Sequence, residues 1–285
     1  MISTLGWVTT AEAGGLDEDE PIALAALREA GVAVDVVAWD DPAVPWAEYD
    51  RVVLRSTWDY PERLAEFLSW LEKVSEATDL RNPLPMVRWN ADKHYLTELD
   101  RAGVPIVPTT FAEPGDRPPL PDEPFVVKPA VGAGSRDAAS YTATQHDLAY
   151  AHLKRLHDTG ASVLIQPLIA SVALDGEWPL IFLDGKYSHA ASKRVALPAA
   201  SSVEGLFAEE NNAPHLADAA QIAVAQAAVD VVLQRFGTPA YARVDLVRDD
   251  DGQFRVLELE LIEPSLFLPQ AGPDAVQRLV STITA

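Results

Sequence analysis

The sequence predicts a mixed α/β and α+β fold, and three observations lead to this class. Short apolar runs alternate with amphipathic helices over the first 77 residues, which predicts a parallel sheet. Turn residues at Asp184-Gly185 and at 249–252 each separate two apolar runs, which predicts antiparallel hairpins. A long helix rich in Ala and Val is predicted between these hairpins, over 214–236.

Composition and charge limit the classes of function. The chain has 285 residues, of which 48% are hydrophobic, so one to three domains with a substantial core are expected. The net charge of −21 argues against nucleic acid or an anionic membrane as a partner, and any phosphate site must be locally basic. There is no cysteine, which excludes disulfides and cysteine-ligated metals. Without a signal-peptide pattern or a membrane-spanning apolar run, we expect a cytoplasmic protein.

The first unit is predicted to alternate strands and helices. Strands are predicted at 2–8, 32–39 and 51–55, and helices at 17–31 and 61–77. Ligands bind at the carboxyl ends of parallel strands. The polar segment after the third strand is therefore a candidate substrate loop through Ser56, Thr57 and Asp59. A plain strand-to-helix turn is the alternative.

A second unit is predicted from about residue 88. A helix capped by 90–93 is expected to run to residue 101, followed by a strand at 104–109 and a proline-bearing loop at 113–124. A β-rich strand then ends in Lys128 and leads into a glycine loop with Gly132, Gly134 and Ser135. Glycines let backbone N–H groups approach an anion closely, which favours a phosphate site. A tight hairpin turn is the alternative, because the loop is not a Walker A motif.

The last unit is predicted to contain a further hairpin and a loop long enough to be a lid. A helix is expected at 145–157 and strands at 162–166, 179–183 and 187–193, with Lys193-Arg194 placing two cations at a strand end. The polar loop is predicted at 198–212, and a final helix starts at Pro273. None of the six histidines shows a spacing typical of metal ligands, and none is given a role.

The hairpin predicted at 241–260 carries the charged side chains that most strongly indicate a binding or catalytic site. Residues two apart share one face of a strand, so Arg243 and Asp245 point the same way, as do Glu258 and Glu260. Burying these charges is costly unless they bind something. Oxygen ligands of this kind suit Mg²⁺ held together with a nucleotide's phosphates. A solvated face with ion pairs is the alternative.

The order of these features resembles the ATP-grasp superfamily from about residue 88 to residue 267. The features are Lys93, Lys128 with its glycine loop, Lys193-Arg194 and the acids of the hairpin. The resemblance implies an ATP-grasp fold, in which two α+β domains clamp ATP and an N-terminal Rossmann-like βα domain helps to hold the substrate. It predicts domains at 1–87, 88–166 and 167–285.

The resemblance also implies a nucleotide site. Phosphate contacts are implied for Lys93, Lys128, the loop residues Gly132, Gly134 and Ser135, and either Lys193 or Arg194. The hinge that reads the adenine edge is matched by Gln166 and Leu168, and the acid that binds the ribose hydroxyls is matched by Glu177.

Catalytic, metal and substrate residues follow from the same resemblance. Arg243 matches the arginine that stabilises a developing oxyanion, and the Mg²⁺ ligands are matched by Asp245, Glu258 and Glu260. Many members carry asparagine where this chain has Glu260, so a further negative charge is expected at the metal. Ser265 lies in a loop that lacks the usual Pro-Gly form and is a candidate substrate contact.

The activity implied by the resemblance is ligation. ATP phosphorylates a substrate carboxylate, and a nitrogen nucleophile attacks the acyl phosphate, so that ADP and phosphate are released. The stretches at 58–62, 88–93 and 262–267 are similar to the branch that contains the O-ureido-serine cyclo-ligase of D-cycloserine biosynthesis. This implies ATP, Mg²⁺ and a small amino-acid-like substrate, with cyclisation of O-ureido-D-serine to D-cycloserine as the favoured reaction.

Two other functions remain open at this point. One is an intermolecular carboxylate–amine ligase, and the other is an ATP-binding module without ligase activity. The complete set of acids in the hairpin argues against the second. The sequence is compatible with a homo-oligomer and does not decide the oligomeric state.

Overall fold

The structure is a computed structural model that describes residues 2–195 and 210–285. Within these ranges the chain forms three β-sheets, and helices pack against each of them. No helix in the described part of the chain is long and apolar enough to cross a membrane.

The first sheet is parallel, as the alternating pattern predicts, and its strand order is β2-β1-β3-β4. Its elements in chain order are β1 (Thr4–Thr9), α1 (Glu20–Glu29), β2 (Ala33–Ala38), β3 (Arg51–Ser56), α2 (Leu64–Ala77) and β4 (Asp79–Arg81). Proline in the first turn of α1 marks the helix start as predicted. Helix α2 begins later than predicted, after a 3₁₀ turn over Tyr60–Arg63.

The second sheet is antiparallel, in the order β5-β8-β6-β7. The elements of this part are α3 (Leu84–Asn90), α4 (Tyr95–Arg101), β5 (Thr110–Ala112), β6 (Phe125–Pro129), β7 (Ala139–Tyr141), α5 (His146–Asp158) and β8 (Val163–Pro167). The predicted strands that end near Lys128 and Gln166 are confirmed, and so is α5. Helix α3 was not predicted.

The predicted strand at 104–109 was wrong. Ile106 forms only an isolated bridge with Val256, and no ladder continues from it in the described chain. The sequence places Pro105 and Pro108 in this segment, and proline has no N–H to donate to a ladder.

The predicted helix start at 90–93 is instead a break between two helices. Helix α3 ends at Asn90 and α4 begins at Tyr95. The Asp92 carboxylate accepts a hydrogen bond from the N–H of His94 at 3.0 Å, which competes with helix continuation.

The third sheet is antiparallel, in the order β11-β10-β9-β12-β13. The elements are α6 (Ser171–Asp175), β9 (Trp178–Leu183), β10 (Lys186–Val195), β11 (Glu210–His215), α7 (Ala219–Phe236), β12 (Tyr241–Arg248), β13 (Phe254–Glu260) and α8 (Pro273–Thr284). Both predicted hairpins are confirmed. Asp184 and Gly185 have φ angles of 51° and 69°, the left-handed pair that a two-residue turn between twisted strands requires.

Two predicted boundaries in this part were wrong. The polar loop predicted at 198–212 lies outside the described residues as far as residue 209, and its last residues begin β11. The helix predicted from residue 214 starts at Ala219. Asp218 caps it, since its carboxylate accepts from the Gln221 N–H at 2.8 Å while the Gln221 side chain accepts from the Asp218 N–H at 3.0 Å.

The hydrophobic clusters join parts of the chain that are distant in sequence. Helix α8 and the segment at 266–268 pack against β1 and α1 of the first sheet. Helix α4 and Ile106 pack against the third sheet, although the sequence prediction assigned them to the central unit. The domain boundaries at 87/88 and 166/167 remain a prediction, and the packing places 95–106 with the third sheet's core.

A buried asparagine fastens the first sheet to the third. Asn82 is 1% exposed and lies directly after β4 with a φ of 57°, a region that asparagine tolerates better than most residues. Its Nδ2 donates to the backbone oxygens of Tyr241 (2.8 Å) and Leu261 (2.7 Å), and its Oδ1 accepts from the Ala240 N–H (2.8 Å). One side chain thus satisfies three backbone groups that would otherwise be buried without partners.

Replacing Asn82 with alanine is expected to lower the free energy of unfolding by about 3 kcal/mol, because buried backbone groups lose their hydrogen bonds. Denaturant unfolding measures this. Asn211→Ala, at an exposed position of β11, is the matched control and should change the value by less than about 0.5 kcal/mol. Equal losses in the two variants would contradict the role given to Asn82.

Candidate active site

A cavity of about 360 Å³ lies where the three sheets meet. Its wall includes most of the residues that the sequence singled out, namely Lys93, Lys128, Gly132, Gly134, Ser135, Gln166, Leu168, Glu177, Lys193, Arg243, Glu258, Glu260 and Ser265. These residues come from β6, β8, β10, β12 and β13, from loops between them, from the connection between α3 and α4 and from the loop after β13, so the cavity exists only in the assembled fold.

The register of β12 and β13 puts the predicted charges on one face. Arg243 is the cross-strand partner of Glu260, and Asp245 is the partner of Glu258. The pairing shifts by one residue after Asp245, so that Leu246 faces Val256. The shared face predicted from the two-residue alternation is confirmed.

Two lysines from other elements neutralise Glu258. The Nζ of Lys93 lies 2.9 Å from Oε1 of Glu258, and the Nζ of Lys128 lies 3.9 Å from Oε2. Lys93 follows α3, and Lys128 stands on β6. We call Lys93, Glu258 and Lys128 the first ion-pair chain.

The remaining hairpin charges form a second ion-pair chain. The Nζ of Lys193 lies 2.9 Å from Glu177 and 3.2 Å from Asp245. Arg243 donates to both oxygens of Asp245, from Nε at 2.8 Å and from Nη2 at 2.9 Å, and it also pairs with Glu260. The chain therefore runs Glu177, Lys193, Asp245, Arg243, Glu260.

These pairs set the charge states of the two central acids. Burial alone would raise the pKa of Asp245, but Arg243 and Lys193 outweigh it and lower the pKa to about 2. Burial also opposes ionisation of Glu258, and Lys93 and Lys128 again lower its pKa below the ordinary value. Both acids are therefore carboxylates at neutral pH.

The pKa values of the two outer acids of the wall, Glu260 and Glu263, are raised instead. Burial raises the pKa of Glu260 to about 7; Arg243 opposes the rise, and the negative charges of Asp245 and Glu258 add to it. Burial, with Glu260 beside it, raises the pKa of Glu263 well above its ordinary value. A cation bound beside these two acids would favour their ionised forms.

The predicted three-acid metal set needs a correction. In the described residues no three Asp, Glu or His side chains converge as a metal site. Asp245 is 2% exposed and does not line the cavity, because Arg243 and Lys193 hold both of its oxygens. Glu258 and Glu260 do line it. Mg²⁺ is commonly bound by one or two carboxylates plus phosphate oxygens, so these two residues fit the ion with a nucleotide present.

The glycine loop closes over the cavity and is held from two sides. The Nζ of Lys93 donates to the carbonyl oxygen of Gly132 at 2.8 Å. Arg136, at the end of the loop, forms an ion pair with Glu62 of the first unit. Gly134 and Ser135 have φ angles of 64° and 59°, a conformation that glycine adopts without strain. The loop thus bridges the second sheet and the first unit above the lysines.

The predicted adenine hinge lies at the end of β8. Gln166 is 3% exposed, and its Nε2 donates to the Thr109 hydroxyl at 2.9 Å. The Leu168 N–H donates to the backbone oxygen of Pro124 at 2.8 Å. Both residues line the cavity, and their contact with adenine stays a prediction.

Three residues of the predicted substrate set lie outside the cavity wall. Ser56, Thr57 and Asp59 do not line the cavity: the Ser56 hydroxyl donates to Thr9 at 2.8 Å, and Asp59 accepts from the Trp39 indole at 2.9 Å. The same segment contributes the rings of Trp58 and Tyr60 to the wall instead. A polar sequence at a strand end does not reveal which side chains turn inward.

Strand alternation places only Lys193 of the pair Lys193-Arg194 at the cavity, and its contact with a phosphate stays a prediction. Lys193 is 9% exposed and lines the cavity, whereas Arg194 is exposed and does not. Adjacent residues on a strand point to opposite faces, so only one of the two cations can lie in the site.

Sequence reasoning missed the contribution of the first unit's acids. Asp17 and Asp19 line the cavity just before α1. Asp19 accepts hydrogen bonds from the N–H groups of Leu266 and Leu268, the latter at 2.7 Å, and so fixes the loop that carries Ser265. The only signal was an acidic run before a proline, which also marks an ordinary helix start.

Comparisons with known proteins identify relatives of the whole chain. Residues 5–82 match the family described as D-cycloserine synthetase DcsG, N-terminal domain. The chain is 41% identical over 277 residues to the cycloserine biosynthesis protein DcsG of Streptomyces lavendulae, which covers 93% of this chain and 92% of that protein. The crystal structure of D-cycloserine synthetase DcsG matches with a TM-score of 0.90 and 38% identity over 98% of both chains.

A more distant match shows the fold. D-alanine–D-alanine ligase from Bacillus anthracis, in a complex with ATP, has a TM-score of 0.70 and 16% identity, covering 99% of this chain and 96% of that chain. Together the fold, the site and these relatives define an ATP-dependent ligase of the ATP-grasp class, an enzyme that forms carbon–nitrogen bonds. More narrowly, the chain belongs to the D-cycloserine synthetase (DcsG) family. The fold class predicted from the sequence is confirmed.

Replacing Lys128 with alanine is expected to weaken ATP binding by roughly 100-fold, because a buried cation at the cavity's basic end would lose its contact with phosphate. Calorimetric titration of Mg-ATP measures the affinity. Lys154→Ala is the matched control, since that side chain is 72% exposed on α5. An unchanged affinity in the Lys128 variant would contradict the assignment.

Replacing Asp17 with asparagine is expected to stabilise the protein above pH 6. Burial raises the pKa of Asp17 from 3.8 to about 6, so the folded protein binds more protons than the unfolded chain between these values. Stability therefore falls as pH rises through this window in the wild type and not in the variant. Denaturant unfolding should show a gain of about 2–3 kcal/mol at pH 8 and a much smaller one at pH 4. A variant no more stable than wild type at pH 8 would refute this.

Proposed function

We propose that the protein is a cyclo-ligase that uses ATP and Mg²⁺ to convert O-ureido-D-serine to D-cycloserine. The observation that carries the proposal is a cavity with two lysines at one end and a carboxylate wall on the hairpin, in a chain 41% identical to a cycloserine biosynthesis protein. The substrate's identity and the ring closure rest on that similarity and on the chemistry below.

ATP would bind with its phosphates against the first ion-pair chain. Lys93 and Lys128 lie beneath the glycine loop, and Glu258 is the anion that pairs with them in the protein alone. Phosphate oxygens offer these lysines more acceptors and more charge than one carboxylate does. We infer that the nucleotide takes over the lysines and releases Glu258.

The second ion-pair chain would hold the other parts of the nucleotide. Glu177 lies 2.9 Å from Lys193 at the cavity wall, where it would accept from the ribose hydroxyls while Lys193 contacts a phosphate. The end of β8, at Gln166 and Leu168, would contact adenine.

Glu258 and Glu260 would hold Mg²⁺ together with the phosphates. The released Glu258 and the neighbouring Glu260 are the two hairpin carboxylates that line the cavity wall. Bound there, the ion would neutralise charge on the phosphate oxygens during transfer.

The reaction would proceed in two steps at the Arg243 side of the cavity. The substrate carboxylate accepts the γ-phosphoryl group of ATP and becomes an acyl phosphate, leaving ADP. The nitrogen bonded to the side-chain oxygen of the same substrate then attacks the acyl carbon, and phosphate leaves. One water molecule hydrolyses the carbamoyl group from that nitrogen, which keeps a proton while the carbamoyl group departs as carbon dioxide and ammonia. Arg243, held flat by Asp245, would donate to the oxyanion of the ring-closing step.

An intermolecular carboxylate–amine ligase is the second candidate, because the same cavity could activate a carboxylate for an added amine. A nucleotide-binding module without activity would need neither the paired acids of the hairpin nor a guanidinium set between them. The site therefore supports a ligase over a binding module.

Substrate-dependent ADP release tests the proposal. Purified protein with Mg-ATP should release ADP when O-ureido-D-serine is added alone, and mass spectrometry should detect D-cycloserine. Release that requires two added substrates would favour the intermolecular ligase. No substrate-dependent release with O-ureidoserine or any of a panel of amino acids would overturn the ligase proposals.

Replacing Arg243 with lysine is expected to leave ATP affinity within a few-fold of wild type and to lower kcat by roughly 100-fold. Lysine lacks the planar fork that contacts both oxygens of Asp245 and Glu260 at once. Steady-state kinetics and calorimetry separate the two effects. Arg248→Lys, at the far end of β12 and 45% exposed, is the control with unchanged kinetics. Wild-type kcat in the Arg243 variant would remove it from the chemistry.

A further inference from the structure

An unsatisfied carboxylate of the first unit borders the cavity. Asp17 lies in the turn before α1, is 6% exposed and lines the cavity wall. Its Oδ1 accepts from the Asp19 N–H at 3.0 Å. Its Oδ2 is buried and has no hydrogen-bond partner among the described residues. A buried carboxylate oxygen without a partner is costly, so it points to a ligand that the protein alone does not supply.

Arg55 opposes the rise in the pKa of this carboxylate through its charge, but it makes no hydrogen bond with the free oxygen. Arg55 donates to the backbone oxygen of Pro264 at 2.6 Å and lies 3.7 Å from Asp19. Its guanidinium is also packed against the rings of Trp7 and Tyr241, at 5.5 and 5.2 Å. One fixed cation thus faces two carboxylates, and the cavity wall at Asp17 keeps a negative charge.

The charge of the cavity changes from one region to the other. Lys93, Lys128 and Arg136 make the region beneath the glycine loop basic, which suits phosphate. The wall at Asp17 is acidic, so the group that binds there is a cation or a hydrogen-bond donor. Asp17 offers one free carboxylate oxygen, which suits a hydrogen-bond donor with a positive charge better than a metal ion that needs several oxygen ligands, so an organic donor is the fitting class.

A primary ammonium matches these requirements. It carries a positive charge and three N–H donors, and it can satisfy the free oxygen of Asp17 while keeping contact with other acceptors. Burial raises the pKa of Asp17 to about 6, so the group is mostly ionised at neutral pH despite its burial and attracts such a cation.

We propose that Asp17 binds the α-ammonium group of the substrate and determines specificity for amino acids over acids that lack the amine. The inference rests on the proposed function in one respect, namely that the substrate is an amino acid. In the ring closure proposed above the α-ammonium takes no part, so it is free to serve as an anchor throughout the reaction. Held at Asp17, the substrate would extend its carboxylate toward Arg243 and the phosphates.

Asp17 would determine specificity, whereas its neighbour Asp19 positions part of the cavity wall. Asp19 ties the N–H groups of Leu266 and Leu268 to the start of α1, and this places Ser265 and Phe267 on the cavity wall close to Arg243. The acidic segment before α1 therefore contributes a fixed loop through Asp19 and a ligand-binding oxygen through Asp17.

A comparison of two substrates tests the inference. Rates of ADP release give kcat and KM for O-ureido-D-serine and for 3-(carbamoylaminooxy)propanoate, which differs only by the absence of the amine. The wild type should prefer the amino acid by roughly 100-fold in kcat/KM, because the analogue leaves the buried carboxylate unpaired. Asp17→Asn should reduce this preference to within about fivefold, mainly by raising KM for the amino acid, with KM for ATP unchanged.

Two further variants guard against a structural explanation. Asp17→Glu keeps the charge and should retain a clear part of the preference, whereas a residue needed only for folding would not distinguish Glu from Asn. Glu12→Gln removes an exposed acid of the same loop and should behave as wild type. An Asp17→Asn protein that folds and keeps the wild-type preference would overturn the inference.

The failure of the proposed function would be recognised separately. If the wild type releases ADP with a different amino acid, the same comparison is made with that amino acid and its des-amino analogue, and the role of Asp17 is judged from the same ratio. If only carboxylates without an amine support ADP release, both the proposed substrate and the ammonium site are wrong.

Discussion

Two carboxylates of the β12–β13 hairpin are paired with cations, and three of those cations come from elsewhere in the chain. Glu258 is paired with Lys93 and Lys128, and Asp245 is held between Arg243 and Lys193. Charges of this kind are not stable in an apolar interior unless they are paired. The pairing therefore requires the connection after α3, strand β6 and strand β10 to converge on one hairpin, which brings the second and third sheets together around a cavity.

Such ion pairs are weak evidence for stability, because apolar residues of similar volume often pack as well or better. We infer that these ion pairs serve binding, because a ligand can replace one member of a pair without moving the other. A lysine that holds a carboxylate in the free protein is already positioned to hold a phosphate, and the carboxylate it releases is already positioned to hold a cation. Asp245, which no ligand is expected to reach, has its pKa lowered to about 2 by Arg243 and Lys193 despite its burial. It fixes Arg243 and Lys193 in place and leaves Glu258 and Glu260 to face the ligand.

The period-two pattern of 241–260 was enough to predict the hairpin, its turn and the shared face, because these depend on local chain geometry alone. The order of lysines, glycine loop and acids predicted the class of fold. What depends on distant contacts was not predictable: that Arg194 turns away from the cavity, that Asp245 is covered, and that 104–109 contacts β13 through one isolated bridge instead of a ladder. The acidic turn at Asp17 looked like an ordinary helix start, and only the assembled fold shows that its carboxylate meets the hairpin's cavity.

The central claim is that this charge network is a nucleotide and cation site. A crystal structure of the protein with ADP and Mg²⁺ tests it most directly. The account predicts phosphate oxygens within hydrogen-bonding distance of Lys93 and Lys128, and the ion bound to Glu258 and Glu260 with Asp245 still paired to Arg243. A nucleotide bound elsewhere, with Glu258 still paired to both lysines, would contradict it.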